Sequence, residues 1–288
     1  MPGYSDDLGL AHILADDADA LTMSRFRALD LTVETKPDMT PVTDADRAVE
    51  ELLRAALFRA RRRDAVLGEE FGATGSGSRQ WVIDPIDGTK NFVRGVPVWA
   101  TLIALMEGPE VVVGVVSAPA LSRRWWAVRG GGAYGGRSLT SASPCRVSQV
   151  AKLRDASLSY SSLAGWEDQG RLDGFLELTR RVWRTRAYGD FWSHVMVADG
   201  SVDIAAEPQV SLWDLAAVAL LVEEAGGRFS GLDGTRGPAT GSGVASNGPV
   251  HDDVLALLSP TTSPTIGPTT GRTTGPTTGP STGPGGRA

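Results

Sequence analysis

A short apolar run, Trp81-Val82-Ile83, passes directly into Asp84-Pro85-Ile86-Asp87-Gly88-Thr89-Lys90-Asn91-Phe92. Aromatic and β-branched residues in succession read as a buried strand. Two carboxylates, three residues apart, stand at its end. Gly88-Thr89 is then a turn that can open a helix, whose first amides are free to receive an anion. The run can therefore hold a hard metal ion and a phosphate side by side, and it requires a fold in which a strand end meets a helix start. Asp, Pro and Gly are also ordinary turn formers, so the meaning of the run depends on what the rest of the chain brings to it.

The chain has 288 residues, 41% hydrophobic and 22% charged, which suits one large globular domain or two smaller ones. Cys145 is the single cysteine, so no intramolecular disulfide can form. It reads as a small hydrophobe or loop residue, and a reducing cytoplasm is the expected compartment. The first ten residues include Asp6 and Asp7 and have neither the basic segment nor the apolar run of a secretory signal. No stretch approaches the roughly 20 apolar residues that span a bilayer, so no membrane association is expected. A net charge of −6 argues against general nucleic-acid affinity. Arg61-Arg62-Arg63 and Arg123-Arg124 read as solvated surface.

Helical spacing is seen at Leu10, Ile13, Leu14, Ala18 and Leu21, and again at Val49, Leu52, Leu53, Ala56 and Leu57. Val66-Leu67 is a further short strand. Segments 101–106 and 111–116 flank a turn and predict a hairpin, and 124–128 with the following glycines predicts another. Beyond residue 157 the patterns alternate: helices at 172–182 and 191–198, a strand at 202–206, and a long helix from Asp214 stopped by Gly226-Gly227. Short strands at 228–229 and 244–246 and a helix at 252–258 follow. Hairpins first and alternation later predict a mixed α/β and α+β fold. Its expected parts are an α+β half (1–145) and an α/β half (146–259). Residues 260–288 repeat Gly-Pro-Thr-Thr-like units with almost no apolar side chain and are expected to be a disordered tail.

Acids stand at the ends of several elements: Asp44 and Asp46, Glu69 and Glu70, Asp84 and Asp87, and Asp214. Strand ends in α/β folds converge on one crevice, where such acids can meet. Packed carboxylates repel unless a cation compensates, and an oxygen-only donor set without His or Cys suits Mg²⁺ better than zinc. Singly, Asp46 also reads as a first-turn acid, Asp214 as an N-cap and Glu69 as an exposed strand-end acid. The Thr89 hydroxyl is expected close to Asp87.

Gly68-Glu69-Glu70, the 84–89 run, Trp213-Asp214-Leu215-Ala216-Ala217 and Glu223-Glu224-Ala225-Gly226-Gly227 together resemble the inositol monophosphatase-like, lithium-sensitive metal phosphatases. The resemblance covers roughly residues 8–258. It implies an αβαβα layered fold and Mg²⁺-dependent hydrolysis of small phosphate monoesters, with Mn²⁺ able to substitute, by a homodimer. By position, Glu69, Asp84 and the Ile86 carbonyl would hold one metal. Asp84, Asp87 and Asp214 would hold a second. Asp46 with Glu69 would support a third ion or the attacking water, Thr89 would help to activate that water, and the Gly88 and Thr89 amides would take the phosphate.

Arg186-Ala187-Tyr188-Gly189-Asp190-Phe191 is similar to the Gly-Asp signature of the family's histidinol-phosphate phosphatases, and residues 84–99 resemble actinobacterial members assigned to histidine biosynthesis. Glu207 lies seven residues before Asp214, where family members contact the non-phosphate part of the substrate. Asp190 and Glu207 could then pair with an ammonium group and an imidazole. The alternative for Asp190 is an N-cap, and for Glu207 a solvated loop acid. An inositol-1-phosphate, sugar-phosphate or nucleotide-phosphate phosphatase is the other reading. His12, His194 and His251 read as structural, Trp125-Trp126 as core, and Lys36 as either a loop lysine or a neighbour of the metal site.

Overall fold

The computed structural model describes residues 3–37 and 39–259; the repeat segment 260–288 lies outside these described residues. The chain opens with α1 (Ser5–Arg25), the hairpin β1 (Val33–Thr35) and β2 (Pro41–Thr43), and α2 (Asp44–Ala60). Next come β3 (Ala65–Gly68), β4 (Gly72–Thr74), β5 (Arg79–Asp87) and the short helix α3 (Thr89–Arg94). β6 (Ala100–Glu107), β7 (Glu110–Ala118), β8 (Arg123–Val128), β9 (Gly132–Gly136) and β10 (Ser143–Pro144) extend the sheet as an antiparallel meander. The eight strands run in the order β10-β9-β8-β7-β6-β5-β3-β4, and β3 and β5 are parallel.

A second sheet follows from β11 (Ser157–Ser159), α4 (Ala164–Asp168), α5 (Leu172–Arg181), β12 (Arg184–Arg186), α6 (Asp190–Ala198) and β13 (Ile204–Glu207). It is completed by α7 (Leu212–Glu224), β14 (Arg228–Ser230), β15 (Gly243–Ser246) and α8 (His251–Leu258). Its five strands run β12-β11-β13-β15-β14.

Side-chain alternation along the strands sorts the core into layers. Trp81 and Ile83 of β5 face α1 and α2, packing with Leu14, Val49, Leu53 and Leu57. Val82 points the other way, into a cluster shared with Phe191 and Val195 of α6, the body of α7, and Phe229 and Ala245 of the second sheet. The far face of that sheet buries Leu158, Ile204 and Val244 against Trp166, Phe175 and Leu258 of α4, α5 and α8. The order of layers is thus αβαβα. α7 lies between two sheets, so Leu215 to Val222 are all buried, as expected of a helix that is apolar all round.

Two expectations shift. Ile13 shares the helical spacing of α1 but is 59% exposed, and the buried stripe is Ala11, Leu14, Ala15 and Ala18. Arg124 is not solvated surface. It reaches from β8 to Asp19 at 2.6 Å and Asp16 at 2.8 Å and ties α1 to the sheet. Leu14→Ala should therefore cost about 2–5 kcal/mol in urea unfolding, whereas Ile13→Ala should stay within about 0.5 kcal/mol. Equal losses would contradict this placement of α1.

Candidate active site

β5 carries its acids on the strand itself. Asp84 shares the face of Val82 and so points towards the layer that contains α7. Its pairing with β6 slips between Asp84 and Asp87. Such an irregularity re-aims a side chain and accommodates Pro85, which has no amide to donate. Asp214 stands in the first turn of α7, three residues after the N-cap Ser211, and its Oδ2 accepts from Ser211 N at 2.7 Å. It is thus the reciprocal acid of a capping box rather than the N-cap. Oxygens of Asp84, Asp87 and Asp214 lie within 4.8 Å of one another, the one such acid group among the described residues.

Asp46 occupies the same position in α2, within the first turn and not before it. Its Oδ2 accepts from Thr43 N at 2.8 Å and Thr43 Oγ1 at 2.6 Å, and its Oδ1 faces Thr89 Oγ1 at 3.3 Å. Thr89 Oγ1 also lies 2.9 Å from the Ile86 carbonyl. The expected neighbour of Thr89, Asp87, is engaged elsewhere: its Oδ2 accepts from Phe191 N at 2.5 Å, capping α6. Asp190 does not make that cap. It is the first residue of α6, with φ +50°, and its amide donates to Ser161 Oγ at 3.0 Å. A left-handed conformation costs a non-glycine residue about 1 kcal/mol, and such strain gathers at functional sites.

Gly88, with φ +85°, caps α3, and its carbonyl accepts from the amides of Asn91 and Phe92, leaving the Thr89 and Lys90 amides ahead of the first helical bonds. A Cβ here would sit 3.1 Å from the Val98 carbonyl and 3.4 Å from Asp190 Oδ2, so only glycine fits this turn.

Glu69 lines the same cavity of about 650 Å³ as Asp84, Ile86, Asp87, Gly88, Thr89, Asp190 and Asp214. Its carboxylate acts on Asp84 and Asp214 and accepts from Lys36 Nζ at 2.7 Å, which also reaches Glu70 at 2.6 Å. Lys36 therefore belongs to the site. A contiguous cavity of about 240 Å³ is lined by Ser161, Asp190, His194, Glu207 and Gln209. Glu207, at the end of β13, is buried rather than solvated; its Oε1 accepts from Ser161 Oγ at 2.5 Å and lies 4.0 Å from His194 Nε2. Ser161 and Gln209 had no signal beyond their nearness to a strand end. The remaining aromatic, arginine and histidine side chains have structural partners. Trp125 and Trp126 are core residues, Arg184 bonds Tyr188, and Arg186 bonds the Thr185 carbonyl. His12 packs edge-on against Trp126, and His251 bridges Ser246 and Ser230.

Burial lifts Asp46, Asp84, Asp87, Asp190, Glu207 and Asp214 above the ordinary carboxylate range. Asp84 is pushed well up by desolvation and then by the charges of Glu69, Asp87 and Asp214. Asp87 also rises well above the ordinary carboxylate value for the same first reason, helped by Asp190 and Asp214. Asp214 rises to about 6 and Glu207 to about 8, both chiefly through desolvation. Asp84 Oδ1 is buried with no hydrogen-bond partner. A divalent cation fits this set: it satisfies the orphaned oxygen, offsets the repulsion, and meets only hard oxygen donors.

Such a scaffold, with buried acids converging beside a left-handed glycine and a helix start, defines a phosphatase site of the cation-assisted kind. Residues 8–262 match the inositol monophosphatase family. The chain is 69% identical to a histidinol-phosphatase of Streptomyces coelicolor, covering 90% of this chain and 99% of that one. A Mycobacterium tuberculosis histidinol-phosphatase is 63% identical over 88% of this chain and 98% of its own. The fold superimposes on a Thermotoga maritima IMPase with TM-score 0.78 and 30% identity, covering 88% and 96% of the two chains. This chain belongs to the inositol monophosphatase family.

Raised acid pKa values make the metal-free fold sensitive to alkali. A folded state that binds more protons than the unfolded one loses stability as pH rises. Glu207 acts from its ordinary 4.5 up to about 8, and Asp214 from 3.8 to about 6. The metal-free Tm should fall between pH 5 and 8, and Mg²⁺ should raise it more at pH 8 than at pH 5. A Mg²⁺ response independent of pH would contradict the cluster.

Proposed function

We propose that this enzyme is a Mg²⁺-dependent histidinol-phosphatase, hydrolysing L-histidinol phosphate to L-histidinol and phosphate in histidine biosynthesis. The observation that carries the substrate is the 69% identity to a histidinol-phosphatase along nearly the whole chain. The Asp190–Ser161–Glu207 network beside the acid cluster supports it chemically. Glu69, Asp84 and the Ile86 carbonyl are assigned to one cation and Asp84, Asp87 and Asp214 to a second. Mg²⁺ is chosen because every donor is oxygen. When bound, such ions supply Lewis-acid polarisation of the phosphate and an acidified water.

The chain's own groups do the rest. The Gly88 and Thr89 amides receive phosphate oxygens at the start of α3. Thr89 Oγ1, with its proton directed to Ile86 O or Asp46 Oδ1, retains lone pairs that orient the attacking water. Asp46 keeps Oδ2 on Thr43 and offers Oδ1 to the same end. The cluster acids are engaged by cations and helix caps, so direct attack by water is favoured over a covalent phosphoenzyme. Asp190 and Glu207 bind the ammonium group and imidazole, where opposite charge offsets the cost of their burial. A homodimer and inhibition by lithium belong to the same proposal, supported by family membership. Among the described residues no helix is long and apolar enough to cross a membrane.

Thr89→Ala should lower kcat by about 10²–10⁴ with little change in KM. Wild-type kcat would remove Thr89 from the reaction. Across a panel of phosphate monoesters, kcat/KM for histidinol phosphate should exceed that for inositol 1-phosphate by at least about a hundredfold. The reverse order would contradict the substrate assignment.

A further inference from the structure

Glu50 lies on α2 four residues after Asp46 and is wholly buried. It lines neither cavity. Its Oε2 accepts from Glu70 N at 2.7 Å and its Oε1 from Phe71 N at 3.2 Å. Arg54 Nε donates to Oε1 at 2.7 Å, and the same guanidinium reaches Thr74 Oγ1 at 2.8 Å and the Gly72 carbonyl. On the other side, Glu69 N donates to the carbonyl of Ile83, the residue before Asp84, at 3.2 Å. Glu69 is thus pinned from both directions: its own amide to β5, the next two to Glu50. A Cβ on Gly68 would fall 2.1 Å from Glu50 Oε1, so the carboxylate fills the space that glycine leaves. Buried ion pairs are poor devices for stability, since apolar residues of similar volume often do as well. The pair's value therefore lies in the backbone it holds.

We propose that Glu50 is a positioning residue for the cation site. It fixes the turn between β3 and β4 so that the Glu69 carboxylate enters the cavity shared with Asp84. Glu50 and Asp46 lie on one face of α2, so a single helix then aligns both the Asp46–Thr89 pair and Glu69. This inference rests on the assignment of Glu69 and Asp84 as cation ligands.

The full chain carrying Glu50→Gln keeps the shape but replaces one accepting oxygen with a donor. Stripped of metal and titrated with Mg²⁺ by calorimetry, it should show a Kd raised about 10–100-fold. The Mg²⁺ concentration that half-saturates histidinol phosphate turnover should rise in step, with kcat at saturating Mg²⁺ near wild type. Leu57→Ala, on the same helix and away from the turn, should lower the Tm and leave the Kd unchanged. If Glu50→Gln does not fold, Gly68→Ala tests the same contact from the other side and should raise the Kd alike. A wild-type Kd in whichever of these two variants is measured overturns the proposal. Asp84→Asn separates the two levels: if it binds Mg²⁺ as the wild type does, the site assignment fails. If it loses binding while Glu50→Gln keeps it, only the role of Glu50 fails.

Discussion

Carboxylates that repel one another are held together here because most of them have a second task, Asp84 on β5 being the exception. Asp46, Asp87 and Asp214 each commit Oδ2 to the start of a helix: α2, α6 and α7 respectively. A charge-assisted bond to helix-start amides favours the ionised acid, and the helices so capped are packed into the core. α7 cannot move to relieve the repulsion, because both its faces are buried between sheets. The repulsion within the assembled cluster is therefore fixed by the scaffold, and a bound cation would offset it.

On the proposed function, reaction and substrate choice are served by neighbouring but different parts of the fold. β5, α3 and the starts of α2 and α7 present the acids, the phosphate turn and Thr89. The smaller cavity belongs to the second sheet and α6, through Ser161, Asp190, His194 and Glu207. Asp87 joins the two: one of its oxygens caps α6 next to the strained Asp190.

Much of this was legible in the residues. Apolar strands, hairpin turns and the Gly226-Gly227 stop lie in local patterning, and the acids of 84–87 and Asp214 stand out by type and place. What failed was of a different kind. Thr89 reads as the neighbour of Asp87, because three-dimensional proximity to Asp46, 43 positions away, leaves no local trace. The alternative reading of Asp190 as the cap of α6 fails because the true cap comes from β5. Lys36 stays ambiguous until a hairpin carries it to Glu69 and Glu70. Glu50 carries no local signal of its burial, although its spacing of four from Asp46 places both on one face of α2.

The proposed function requires a cation held by Asp84, Asp87 and Asp214. Anomalous scattering from crystals soaked in Mn²⁺ tests this most directly. A strong anomalous peak bonded to oxygens of all three acids, with a further peak at Glu69, Asp84 and the Ile86 carbonyl, is the expected result. Peaks confined to surface acids, with the three carboxylates bare, would contradict it.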